Sequence, residues 1–286
     1  MTSIPDLLAA GPTYSLEFFP PRDAKGDRQL ARTLDRLMPL NPSFVSVTYG
    51  AGGTSRERTG EIVHDLRTRF GAQVLPHLTC IGHSKDEIQQ LLDSYEAGGV
   101  ADLLALHGDP PVDGRILPKG DFRYAVELVE FVRGHTNFSI GVAAHTEGHL
   151  LATDRQSDRD HQAAKLKVAD FGMTQFFFEA RFYVDFLEDM AARGVTTPVI
   201  PGVIPVTNSR QVRRMVEMAG GTFPADLAAR LEAVEEPVEG RAIGVEHAAT
   251  LARELLEAGA PGIHFYPMNG WMATTELWTA LGLVTT

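Results

Sequence analysis

The sequence predicts an α/β protein, a (β/α)8 barrel of the TIM type, with residues 1–286 forming one domain. Three observations lead there. Eight short, mostly apolar runs alternate with amphipathic helical periods, and unbroken apolarity is the mark of parallel strands covered on both faces. The 286 residues match the size of one such barrel. The first run ends in Pro20-Pro21, whereas the competing doubly wound sheet carries a glycine-rich phosphate turn after its first strand.

The first strand, 15–19, is an apolar run holding one carboxylate, Glu17, and the two prolines that follow cannot extend a ladder. A helix over 26–38 comes next. Strand 44–48 runs into Gly50-Ala51-Gly52-Gly53 and a helix over 55–70. Strand 73–79 precedes helix 84–97, which opens on the capping box Ser84-Lys85-Asp86-Glu87 and closes at Gly98-Gly99. Strands 103–106 and 139–144 are followed by helices over 121–134 and 156–168. Strand 173–178 leads to helix 180–193, stopped by Gly194, and strand 198–200 to helix 209–219. The segment 220–240 reads as an extra short helix. Helix 241–258, stopped by Gly259, strand 262–266 and helix 271–280 complete the eight units. No linker or low-complexity tract divides them.

Composition narrows the function. The net charge of −11 comes without a long basic stripe, which excludes nucleic acid and anionic membranes as partners. A single cysteine, Cys80, excludes an internal disulfide and a thiolate metal site. No apolar stretch approaches membrane-spanning length and no basic-then-apolar leader opens the chain, so the expected location is cytoplasmic.

Barrels of this kind place chemistry where strands end and loops begin. Glu17 ends the first strand, Thr48 the second, His77 the third, and Tyr266 the eighth; His107 and Asp109 follow the fourth, His145 and His149 the fifth, and Gln175 lies in the sixth. Beside Phe18 and Phe19, Glu17 reads as a desolvated carboxyl held neutral, hence a candidate proton donor. The alternative is a carboxylate paired with a core cation. His145-x-Glu147-x-His149 alternates as metal ligands can, which would suit a hydrolase. No second carboxylate–histidine pair stands at neighbouring strand ends, so no metal is expected. No Gly-x-Ser-x-Gly elbow is present, and Cys80 has no obvious histidine partner.

Six runs then make a specific pattern: Leu16-Glu17-Phe18-Phe19-Pro20-Pro21-Arg22, Val47-Thr48-Tyr49-Gly50-Ala51-Gly52-Gly53, Pro76-His77-Leu78-Thr79-Cys80, Leu106-His107-Gly108-Asp109-Pro110-Pro111, Thr174-Gln175-Phe176-Phe177-Phe178 and Ile200-Pro201-Gly202-Val203-Ile204-Pro205-Val206. In this order they resemble the signature runs of the methylenetetrahydrofolate reductase family, and Tyr266 and Asn269 resemble its eighth-strand end. The resemblance covers essentially the whole chain and implies a short, catalytic-domain-only member. It implies a barrel that reduces 5,10-methylenetetrahydrofolate to 5-methyltetrahydrofolate, usually with FAD relaying hydride from NADH or NADPH. By position, Glu17 matches the acid that assists opening of the folate ring, and Asp109 a residue that tunes charge near flavin and pterin. Gln175, with Thr48 and Tyr266, is assigned to substrate. His77, His107, His145, His149 and Lys167 are assigned to the cofactor.

The departures from that pattern gather at the flavin. His107 stands where the family usually has arginine, and His145 where a tyrosine is frequent. The approach to Thr174 is short and lacks a basic residue at Leu166; Ser209 replaces a frequent aromatic. Two readings follow: a flavoenzyme with a rearranged dinucleotide site, or an enzyme without FAD in which NADH passes hydride directly to a folate iminium. The second is the expectation, so FAD is doubtful. A folate-binding barrel without turnover is the reading from another class. The expected partners are small molecules only, and the oligomeric state is open.

Overall fold

The computed structural model describes residues 2–49, 56–108, 119–150 and 152–283. Within them lie β1 (Thr13–Phe18), β2 (Val45–Val47), β3 (Val74–Thr79), β4 (Asp102–Leu106), β5 (Ser139–Ala144), β6 (Phe171–Phe176), β7 (Val199–Val203) and β8 (Gly262–Phe265). The helices are α1 (Ile4–Ala10), α2 (Ala24–Leu37), α3 (Arg56–Phe70), α4 (Lys85–Ala97), α5 (Ala125–His135), α6 (Arg155–Val168), α7 (Ala180–Ala192), α8 (Ser209–Ala219), α9 (Ala225–Glu232), α10 (Pro237–Glu257) and α11 (Met272–Ala280). The strands form a closed barrel in sequence order, every neighbour parallel, with β1 pairing β8 through Ser15↔His264 and Leu16↔Phe265.

Every expected strand and helix is present. Two differences matter. Strand β6 begins at Phe171 and ends at Phe176, so Phe177 and Phe178 leave the barrel wall. Helix α1 was not expected. It is short, but its signals are local: Ser3 and Asp6 form a capping box and Pro5 sits in the first turn.

Alternation along each strand divides the apolar residues. Phe18, Val47, Leu78, Val142 and Phe265 face outward into the layer shared with the helices. Phe44, Leu75, Leu104, Phe171, Met173 and Ile200 face inward and fill the lower barrel with Ile4 of α1. Helix α1 is thus a plug. The fully buried Asp102 accepts from the Ile4 N–H at 2.8 Å and from Gln73, and burial raises its carboxyl to about 6. With α1 closing the bottom, the polar inward positions lie toward the C-terminal ends of the strands.

Candidate active site

On β8, β1, β2 and β3 the inward positions turn polar above that floor. Period 2 puts Ser15 and Glu17 on one face of β1, Ser46 opposite Glu17 on β2, His77 on β3, and His264 opposite Ser15 on β8. Around the Glu17 carboxylate stand the Ser46 hydroxyl at 3.4 Å, His77 Nε2 at 3.4 Å and His264 Nε2 at 3.5 Å. Ser15 Oγ lies 2.8 Å from His264 Nδ1. With Ser15 as donor there, the His264 proton resides on Nε2 and faces Ser46 and Glu17. His264 is fully buried and stacked on Phe44. His77 Nε2 is buried and stands beside the Glu17 carboxylate without making a hydrogen bond.

This corrects the expected state of Glu17. Phe18 points into the outer core, and imidazoles and a hydroxyl stand around the carboxyl. Burial pushes Glu17 up, but the His264 hydrogen bond, the His77 and His264 charges and the Ser46 hydroxyl together outweigh it, and the net shift is downward. Burial also lowers His77. Glu17 is therefore a carboxylate in the free protein at neutral pH.

The opposite wall carries a bulge. Between β6 and β7, Met173 pairs Ile200 and Phe176 pairs Gly202, so one extra residue lies on β6. The Thr174 hydroxyl fills the broken ladder, accepting from Gly202 N at 2.8 Å and donating to the Gln175 carbonyl at 2.7 Å. Gln175 is thereby turned into the open; it is exposed rather than buried among the phenylalanines that follow. Tyr266 reaches across to donate its hydroxyl to the Thr174 carbonyl at 2.8 Å. Its path runs over Gly202, where a Cβ would lie 2.6 Å from the ring and 2.7 Å from that carbonyl. Burial, then the Glu17 charge, raises the Tyr266 phenol well above its usual range. Thr48, half-buried, follows β2 and is anchored through its N–H to Phe18 O at 2.9 Å.

The residues assigned to the cofactor divide. His77 lines the mouth. His107 is exposed, its ring nitrogen 2.8 Å from the Gly108 carbonyl. His145 and the exposed His149 meet edge to face, centroids 4.9 Å apart. Burial, then Lys165 and His149, holds His145 down to about 3, a neutral ring. Helix α6 stakes this loop. Gln162 bonds both the N–H and the C=O of His145 at 2.8 Å; Asp158 accepts from His149 N at 3.1 Å. Arg159 donates to the carbonyls of His145 and Thr146 and to Asp158 and Asp189. Lys167 is exposed on α6. The lysine beside them is Lys165, half-buried and pulled down to about 8 by burial against the charge of Asp158. Glu147 turns to Thr222. Among the described residues no three metal-ligating side chains converge. Asp109 lies outside the described residues.

These positions test the fit of a flavin dinucleotide, whose diphosphate needs cations. Arg159 is buried and committed to four oxygens. His145 is neutral and His107 is an imidazole, not a guanidinium. Arg155 and Arg181, which line the same pocket as His149 and Arg159, are paired with Asp189 and Glu179, and the charge of Lys165 is weakened by burial. The fit is poor.

Sequence reasoning missed Ser15, Ser46, His264 and Lys165. A barrel whose C-terminal mouth holds a carboxylate beside two imidazoles and a hydroxyl, with a tyrosine and an exposed amide at the same end, has the groups of an acid–base-assisted enzyme. The chain matches the family model for methylenetetrahydrofolate reductase over residues 3–282. The 5,10-methylenetetrahydrofolate reductase of Escherichia coli is 35% identical over 258 residues, covering 89% of this chain and 86% of that one. Methylenetetrahydrofolate reductase 1 of Schizosaccharomyces pombe is 36% identical over 95% of this chain, which spans 46% of its length. A solved structure, described as an uncharacterized Clostridium thermocellum protein that binds two copies of 5-methyl-5,6,7,8-tetrahydrofolic acid, shares the fold with TM-score 0.63 at 14% identity, covering 96% and 94% of the two chains. The chain belongs to the methylenetetrahydrofolate reductase family. It is an oxidoreductase that reduces methylenetetrahydrofolate to methyltetrahydrofolate.

Proposed function

We propose that the reduction proceeds by direct hydride transfer from a reduced nicotinamide to folate, with no flavin between them. The observation that supports this reading is the commitment of the buried Arg159 to four protein oxygens, with Arg155 and Arg181 beside it paired with Asp189 and Glu179. NADH is the favoured donor; an Arabidopsis thaliana relative, 31% identical over 95% of this chain, bears the name methylenetetrahydrofolate reductase (NADH) 1. Lys165 and the exposed Arg155 and Arg181 are the described residues that favour a flavin relay.

The chemistry needs a proton and a hydride. As the five-membered ring opens, a carbon–nitrogen bond breaks, the nitrogen gains a proton and the methylene carbon is left as an iminium. Hydride from the nicotinamide then makes the methyl group, and the nicotinamide leaves oxidised. An iminium accepts hydride directly, so no electron relay is required. Glu17 supplies the proton. Because its carboxyl is held low in the free protein, the proton is taken up as substrate covers the mouth and removes water from the carboxylate. Asp109, ionised, stabilises the cation as it forms. Gln175, exposed at the β6 bulge, offers one donor and one acceptor to a pterin or carboxamide edge. Thr48 and Tyr266 line the substrate side, and His77, His107, His145 and His149 the nicotinamide side.

The test is the absorbance of purified protein between about 350 and 500 nm, where bound flavins absorb, with NADH oxidation followed alongside. The expected protein is colourless, oxidises NADH only when methylenetetrahydrofolate is present, and gains nothing from added FAD. A yellow protein, or activity that rises with FAD, overturns direct transfer.

A further inference from the structure

The turn after β8 holds a feature that the chemistry above does not use. Met268 and Asn269 lie consecutively in the left-handed region, with φ of 53° and 52°. Neither is glycine, so the surroundings must hold the turn in place. Asn269 is 4% exposed. Its side-chain oxygen accepts from Phe19 N–H at 3.2 Å, and its side-chain nitrogen donates to Phe19 C=O at 2.8 Å. Its own carbonyl accepts from Gln29 Nε2 at 3.1 Å and Thr33 Oγ1 at 2.9 Å, both on α2. One carboxamide thus binds both polar groups of a single residue, as a neighbouring strand would, and α2 grips it from behind.

Phe19 stands where β1 loses its partner. The β1–β8 ladder runs only to Leu16↔Phe265, and Pro20 and Pro21 bring no N–H of their own. On the other edge, Thr48 N–H holds the Phe18 carbonyl at 2.9 Å. The end of β1, with Glu17 two residues before Phe19, is therefore held from the β2 side by Thr48 and from the β8 side by Asn269. The approaches of His77 and His264 to Glu17 are 3.4 and 3.5 Å. Approaches that long fail with a small rotation of the strand end.

We propose that Asn269 is a positioning residue for the reduction: its clamp on Phe19 extends the β1–β8 seam and sets the direction in which Glu17 points. This rests on Glu17 as the proton donor, and the experiment separates the two. The groups that face Glu17 among the described residues are Ser46 on β2, His77 on β3, His264 on β8 and Tyr266 after it.

Asn269→Gly keeps a residue at ease in the left-handed region but removes the clamp. Thr33→Val is the control; it removes one bond to the turn and leaves the clamp. Both variants should lose thermal stability. Only Asn269→Gly should lower kcat, by about 10²-fold, the scale of a small misplacement in an active site, with the KM for NADH unchanged. Its kcat/KM profile should also move to higher pH, because Glu17 leaves the donors that hold it low. Asn269→Asp, which sets a carboxylate against the Phe19 carbonyl, should share the loss. In a Glu17→Gln background, Asn269→Gly should cost little more, as for two residues acting through one group. The clamp reading is overturned if Asn269→Gly matches Thr33→Val in kcat and pH profile. It is equally overturned if the Asn269→Gly loss is undiminished in the Glu17→Gln background. If Glu17→Gln alone keeps wild-type turnover, the proton-donor reading fails, and the proposal with it.

Discussion

Glu17→Gln is the substitution from which the site has most to lose. The amide has the size of the carboxyl and can still meet Ser46, His77 and His264, whose atoms stand 3.4–3.5 Å from the acid. Folate affinity should therefore stay within a few-fold. Turnover should fall by about 10²–10⁴, or ~2.7–5.5 kcal/mol of barrel-mouth catalysis, the usual worth of a positioned general acid. The pH dependence gives the second readout. Glu17 is held below its ordinary value in the free protein, so its protonated fraction falls tenfold per pH unit across the neutral range. Wild-type kcat/KM should decline as pH rises, and the variant should lose that limb. Stability carries the opposite sign: a lowered carboxyl stabilises the fold above its unfolded pKa, and that contribution disappears as pH falls through the folded one. The variant should melt lower than wild type at neutral pH and converge with it in acid. The assay is steady-state NADH oxidation from pH 5.5 to 8.5, paired with thermal melts. A loss of turnover under about threefold, or a variant that keeps the wild-type pH limb, refutes Glu17 as the acid.

Three further outcomes follow from particular residues. Gly202→Ala places a Cβ 2.6 Å from the Tyr266 ring and 2.7 Å from the Thr174 carbonyl; overpacking on this scale costs about 1–3 kcal/mol, and folate titration should show weaker binding in a protein with an unchanged circular dichroism spectrum. Ile4→Ala empties part of the plug beneath the barrel, where Ile4 is fully buried; chemical denaturation should show a loss of about 2–5 kcal/mol, with kcat at 25 °C unaltered. Asp109→Asn should lower kcat and leave NADH affinity nearly unchanged, as measured by single-turnover kinetics and NADH titration.

The architecture was readable because each strand is an apolar run between distinct stops, such as Pro20-Pro21 after β1 and Gly194 after α7. The site was readable only where chemistry stands at a strand end. His264 was passed over because it lies inside an apolar strand, although Tyr266 two residues on shares its face, as Ser15 shares that of Glu17. Lys167 was assigned from a run matched as a segment, and Lys165 within that run was given no role. The helical period selects Lys165, since Asp158, Gln162 and Lys165 recur at intervals of four and three on one face of α6. The ionisation of Glu17 was misjudged for a tertiary reason: the imidazoles that hold it low come from β3 and β8, distant in sequence. The β6 bulge that exposes Gln175 depends on a match with β7 that no local pattern carries. The left-handed pair at Met268 and Asn269 is equally silent in sequence until Phe19 is seen beside it.

Direct transfer is tested most directly by the fate of one hydrogen atom. NADH carrying deuterium on the transferred position of C4 is mixed with methylenetetrahydrofolate and enzyme in ordinary water, and the methyl group of the product is examined by mass spectrometry. Transfer from carbon to carbon never exposes the label to solvent, so each product methyl should carry one deuterium, and initial-rate patterns should intersect because both substrates are bound together. A flavin relay would place the hydrogen on nitrogen, where it exchanges with water. Unlabelled methyl groups, accompanied by parallel-line kinetics, would contradict the account.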